Sequence, residues 1–134
     1  MIKFIKSIIK NEEGQSLVEF ALVLPILLLL LCGIIDFGWI FGNQLLANNA
    51  SREAARYTAV HYYDSTTDDD QATAAQIVAD RAPTLISPTV TLTPSAGSVT
   101  IKVSSQMDVL TPIVAAFFEN GKYTVDAICV MRLE

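Results

Sequence analysis

The chain reads as an α+β protein in which one long N-terminal helix carries a small head of one further helix and a three-stranded antiparallel sheet. Three features predict this. Residues 20–35 read FALVLPILLLLLCGII, without a charge. No Gly or Pro interrupts residues 43–62, so the helix continues well beyond that run. After residue 88, apolar and polar residues alternate in three stretches, the period of strands with one buried face.

The first element has the length of a bilayer span. A hydrocarbon core of ~30 Å takes about 20 helical residues, and the segment from Leu17 to about Phe37 meets that length. It is too long for a secretory h-region, and no A-x-A site follows it. Phe37, Trp39 and Phe41 fit an aromatic belt at its outer end. Lys3, Lys6 and Lys10 precede the span, and no Lys or Arg follows until Arg52. This asymmetry predicts a cytoplasmic N-terminus and a C-terminal domain outside the cytoplasm. Glu19 and Asp36 flank the apolar run, roughly 25 Å apart on a helix rising ~1.5 Å per residue. Either can sit at an interface, where a carboxylate avoids the mid-bilayer cost of at least ~2.5 kcal/mol. Asp36 reads as an interfacial residue or as a helix-packing contact in an oligomer. Gly38 and Gly42 form a G-x-x-x-G pair, which either allows close approach of a second helix or marks interfacial glycines without a partner. Pro25 removes one backbone hydrogen bond and predicts a kink.

The residues before the span are more specific. Asn11-Glu12-Glu13-Gly14 leads into Gln15-Ser16-Leu17-Val18-Glu19-Phe20 and then the apolar run. This resembles the type IV prepilin cleavage pattern, a short charged leader ending in Gly with Glu at the fifth mature position. The resemblance implies a cut between Gly14 and Gln15 by a membrane aspartyl peptidase. Such a cut creates a positive α-amino group on Gln15, one turn from the Glu19 carboxylate. In a packed assembly Glu19 could instead neutralise a neighbour's amine and fix axial register.

The stretch from Gly14 to Val60 is also similar to the TadE-like family of tight-adherence pilus proteins. Gly14, Glu19-Phe20, Pro25, Gly33, Asp36, Gly38 and Ala54-Ala55-Arg56 carry that resemblance. It implies a minor pilin or pseudopilin of a tight-adherence (Flp-type, type IVc) pilus, processed by a prepilin peptidase and acting in assembly, adhesion or secretion. It implies as partners the peptidase, other pilins or pseudopilins, the assembly platform and the bilayer. By the same resemblance Gly14 and Gln15 form the processing site, Glu19 and Phe20 serve subunit assembly, and Pro25, Gly33, Asp36 and Gly38 serve helix packing, to which the G-x-x-x-G spacing adds Gly42. The alternative is a single-pass, membrane-anchored binding or adhesion module that never enters a filament.

Beyond the span, Leu46, Ala50, Ala54, Tyr57 and His61 give the stem an apolar stripe, with Arg52 and Arg56 on another face. Tyr63 to Asp70 reads as a polar connection. Asp68, Asp69 and Asp70 could suggest calcium but suit the N-terminus and dipole of a helix over residues 72–81. Ala75, Val78, Ala79 and Ala82 are its apolar side, and Pro83 stops it. Val90 and Leu92, then Val99, Ile101 and Val103, then Tyr123, Val125, Ala127, Cys129 and Met131 are the inward residues of three strands, with a turn at residues 94–97. Residues 111–118 read as a short capped helix with Pro112 in its first turn. Phe117 and Phe118 are either core filling or an exposed docking patch. The organisation is thus a leader over 1–14, a transmembrane helix over 15–42, a stem over 43–62 and a head over 63–134.

Composition narrows the function classes. A formal net charge of −5 argues against nucleic acid, which calls for a clustered basic face. His61 is the single histidine, and no Cys/His cluster has metal-ligand spacing. Cys32 and Cys129 read as small buried hydrophobes, since one in lipid and one outside cannot reach disulfide distance. No nucleophile elbow or phosphate-binding glycine loop is present, so the sequence points to a structural component without a cofactor and not to an enzyme.

Overall fold

The computed structural model describes residues 12–64 and 67–133; the leader lysines Lys3, Lys6 and Lys10 lie outside the described residues. Helix α1 spans Glu12–His61, 50 residues and therefore roughly 75 Å at ~1.5 Å per residue. It ends one residue before the expected Tyr62. His61 closes it by donating from Nδ1 to the Tyr57 carbonyl at 2.9 Å, while its ring stacks on that of Tyr57. Pro25 lies inside the helix without ending it. Its missing N–H removes the usual partner of the Ala21 carbonyl. The lower half of α1 holds the chain's apolar surface, with Leu17, Phe20, Leu28, Ile35, Phe37 and Phe41 all exposed. Among the described residues this is the helix long and apolar enough to cross a membrane, and none of its most apolar window is buried within the chain.

Above residue 42 the helix becomes the back of the head. Its buried face is Asn43, Ala47, Ala50, Ser51, Ala54, Ala55, Thr58 and Ala59. The expected stripe is therefore corrected: Ala50 and Ala54 belong to it, Leu46 is half-buried at its margin, and Tyr57 and His61 lie on its flank. The reason is steric. A sheet and a second helix press on this face, and alanines admit them closely where larger side chains would hold them off.

Helix α2, Thr67–Arg81, lies along the stem and buries Asp70, Ala74 and Val78, followed by Ala82 just past its end. This row has i, i+4 spacing. It replaces the expected one: Ala75 is half-buried and Ala79 is exposed. The helix also starts earlier than expected, so Asp68 to Asp70 stand inside its first turn and not before it. There Asp69 and Asp70 lie in the turn that carries the positive end of the helix dipole. An Arg81–Glu53 ion pair at 3.5 Å links α2 to α1, but both side chains are largely exposed, so its contribution is at most about 1 kcal/mol.

The sheet has the order β1-β2-β3 and is antiparallel throughout, with β1 at Thr89–Ser95, β2 at Ser98–Asp108 and β3 at Lys122–Arg132. Leu92 pairs with Ile101 and Ile101 with Cys129, which fixes one register across all three strands. That register turns Val90, Leu92, Val99, Ile101, Val103, Val125 and Ala127 inward, as the alternation predicts, with β1 against α2 and with β2 and β3 against the stem; Met107 joins them. The first turn is tighter than expected. Pro94 and Ser95 belong to β1, and Ser95 pairs with Ser98, leaving Ala96 and Gly97 as the loop. Gly97 takes φ +76, a conformation that suits glycine at the second position of such a turn. Pro94 is tolerated because β1 is an edge strand, where a missing N–H breaks no ladder.

Strand β2 runs toward the apolar lower part of α1 and β3 runs back. The β2–β3 connection therefore lies at the lower end of the head, while Met131 and Arg132 reach the level of Arg56, Ala59 and Val60 at the upper end. Replacing the fully buried Ala54 by Leu is expected to wedge the sheet off the stem, costing about 1–3 kcal/mol. Thermal unfolding of the detergent-solubilised chain should show a lowered midpoint for Ala54→Leu. The exposed Arg52→Ala should stay within about 0.5 kcal/mol of wild type.

Candidate functional site

The junction between span and head is built around Asp36. On a helix otherwise exposed at this level, its side chain is only 1% accessible. The Leu110 N–H donates to Oδ1 at 2.8 Å and the Thr111 N–H donates to the same oxygen at 3.2 Å. The Thr111 hydroxyl donates to Oδ2. Both oxygens of a carboxylate at the edge of an apolar span thus accept from donors of its own chain. Bonds to a charged acceptor are the strong class, each contributing about 1.5–3 kcal/mol net. Their sequence separation of 74 and 75 residues makes them the tie between the lower end of the sheet and the helix.

Local chemistry in the connection presents those donors. Helix α3 is a single turn, Pro112–Ala115, with Pro at its start and Thr111 at the N-cap position. The expected side-chain cap is absent: the Thr111 hydroxyl turns to Asp36 and makes no cap hydrogen bond. Phe118, Glu119, Asn120 and Gly121 then reverse the chain, with φ +56 at Asn120 and +65 at Gly121. Asn and Gly tolerate this left-handed pair better than other residues. A Cβ at Gly121 would meet the Ala115 Cβ at 3.4 Å, so the reversal also needs a small residue. The Val109 N–H donates to the Gly121 carbonyl at 3.0 Å and closes the base of the loop.

Two more polar residues continue the seam upward. Asn43, 2% exposed, donates from Nδ2 to the Trp39 carbonyl at 2.8 Å and accepts from the Thr84 hydroxyl. Gln44 donates from Nε2 to the Asp126 carbonyl at 2.6 Å and so engages β3. Neither residue stands out in the sequence, because polar side chains at the end of a span resemble the start of a solvated stem.

The other candidate residues lie along α1 without being brought together. Gly14 is half-buried and Gln15, Glu19 and Phe20 are exposed at the lower end. A Cβ added at Gly33, Gly38 or Gly42 would meet nothing within 4 Å. These glycines therefore serve no close contact inside the chain. At about 100° per residue, Gly38 and Gly42 stand roughly 200° and 240° from Asp36 around the axis, on the side away from the head. Cys32 and Cys129 are both free and half-buried. No group of three potential metal ligands occurs among the described residues. Phe118 meets Tyr123 edge-on, with ring centroids 6.2 Å apart, whereas Phe117 is 78% exposed. Phe118 is half-buried and stands outside the core cluster, so neither residue fills the core.

Loss of the Asp36 acceptor should be felt first at its donors. Asp36→Ala is expected to accelerate hydrogen exchange of the Leu110 and Thr111 amides by at least tenfold, on the scale of ~1.4 kcal/mol or more. Asp36→Asn, which keeps one acceptor oxygen, should fall between Ala and wild type. Unchanged exchange at both amides in Asp36→Ala would show that the tie carries no local stability.

Residues 14–56 match the family model described as TadE-like protein, so the stretch from Gly14 to Arg56 is TadE-like. No curated protein and no solved structure matches the chain. The match takes in Glu19, Asp36, Asn43 and Gln44 but not Leu110, Thr111, Thr84 or Asp126, so each long-range tie joins the matched segment to the head beyond it.

Proposed function

We propose, from the TadE-like character of residues 14–56, that the chain is a minor pilin or pseudopilin of a tight-adherence pilus system. In this reading a prepilin peptidase cuts between Gly14 and Gln15. The apolar helix then moves from lipid to a packed bundle of pilin-type helices. The observation that carries the proposal is the division of α1 into two unlike surfaces. Above residue 42 one face is filled by the head; below it Leu17, Phe20, Leu28, Ile34 and Phe37 have no cover from their own chain. Such a surface needs an apolar environment, which lipid supplies first and neighbouring helices can supply later.

The polar groups suit the same reading. The Asp36 carboxylate is held by Leu110 and Thr111. Glu19 stays exposed, one turn beyond the amine that cleavage would create on Gln15. In lipid that amine and Glu19 can pair within one chain; in a bundle Glu19 can meet the amine of a neighbour. Removing one partner of a buried pair costs about 3–5 kcal/mol, enough to decide register. The open space around Gly38 and Gly42 leaves room for a second helix on the side away from the head.

Intact-mass analysis of the chain from peptidase-positive and peptidase-negative cells tests the cut. Residues 1–14 are expected to be missing from the first and present in the second, and Gly14→Val should keep the leader in both. A mature chain still beginning at Met1 in peptidase-positive cells would favour the membrane-anchored binding module. Glu19→Ala is expected to be inserted and cut normally, yet to fall more than about tenfold in the sheared filament fraction or in filament initiation. Normal incorporation of that variant would remove Glu19 from assembly.

A further inference from the structure

We infer that the β2–β3 connection is a second membrane contact, a foot that enters the outer interface of the bilayer beside the spanning helix. The inference rests on the reading of residues 17–37 as a bilayer span. Residues 109–118 read VLTPIVAAFF, ten residues without a charge. Leu110 is 54%, Ile113 50% and Phe117 78% exposed, and none of them joins the hydrophobic core. Charged and exposed residues bracket the stretch, Asp108 before it and Glu119 and Lys122 after it. A loop facing water would not be expected to concentrate apolar side chains at its tip and charges at its base.

Position decides what covers this tip. Leu110 and Thr111 are bonded to Asp36, the first acidic residue after the charge-free run of residues 20–35. That bond sets the loop at the level where the span leaves hydrocarbon. On α1 itself, Phe37 and Phe41 are exposed at this same level, their rings stacked with centroids 6.1 Å apart. The apolar residues of the loop thus belong to a segment held at the level of the apolar surface of the helix. A bilayer that covers Phe37 also reaches Leu110, Ile113 and Phe117. The same placement explains the burial of Asp36: its carboxylate lies between the span and the foot, where water is scarce, and backbone and hydroxyl donors replace it.

Spin-label accessibility in the full chain tests the foot. Single cysteines at Ile113→Cys, Phe117→Cys, Leu28→Cys and Thr100→Cys, in a Cys32→Ala, Cys129→Ala background, would carry a nitroxide in phosphatidylethanolamine–phosphatidylglycerol vesicles. Oxygen, which partitions into lipid, should relax the labels at 28, 113 and 117 more than a water-soluble nickel complex does, with the order reversed at 100. This pattern should persist when the protein is diluted in lipid. Nickel preference at 113 and 117 with oxygen preference at 28 overturns the foot and leaves the span intact. Nickel preference at 28 as well overturns both. Oxygen preference at 113 and 117 that vanishes on dilution means that a second copy covers the loop, and also overturns the inference.

Discussion

The Asp36 carboxylate is the constraint on which the rest of the architecture depends. A charge at the end of an apolar span must have water, a counter-charge or donors, and here donors come from the far end of the chain. Their arrival fixes where β2 ends and β3 begins. With that end pinned, the sheet and α2 close over the alanine face of the stem, and Asn43 and Gln44 hold the intervening level through Thr84 and Asp126. A three-stranded sheet is marginal by itself. It is stable here because one face is closed by α1 and α2 together.

The small side chains of the stem are the second half of that arrangement. Alanine contributes little apolar area, so the face looks weak as a core. Its value is proximity: Val99, Ile101, Val103 and Val125 become fully buried against it. The cost of a larger residue there is steric and not hydrophobic, unlike the usual core position.

The sequence made the elements legible and their contacts much less so. A charge-free run of bilayer length and clean alternation in β2 and β3 identify the helix and the inward residues, because period and length are local properties. The i, i+3 and i, i+4 spacing places Tyr57 and His61 on the stem face, but the buried positions are Thr58 and Ala59, because the neighbouring elements select for smallness there. Asp36 was visible as an acid at a boundary, yet its partners were not, because nothing local to Leu110 or Thr111 announces a carboxylate 74 residues earlier. A Thr before Pro ordinarily suggests a cap, and here the hydroxyl serves a tertiary bond instead. Asn120-Gly121 carried a usable signal, the left-handed pair that reverses the chain before β3.

The ties at residues 36, 43 and 44 also fix an angle. They deny the head free rotation about the helix axis, so the azimuth of the head is set by the same residues that set its height. Gly38 and Gly42 point roughly 200–240° away from Asp36. In any bundle that turns those glycines toward its axis, the buried alanine face of the stem turns away from that axis and carries the head outward. Its outer strand surface, with Lys102, Ile128 and Val130, then becomes the rim that other surfaces meet.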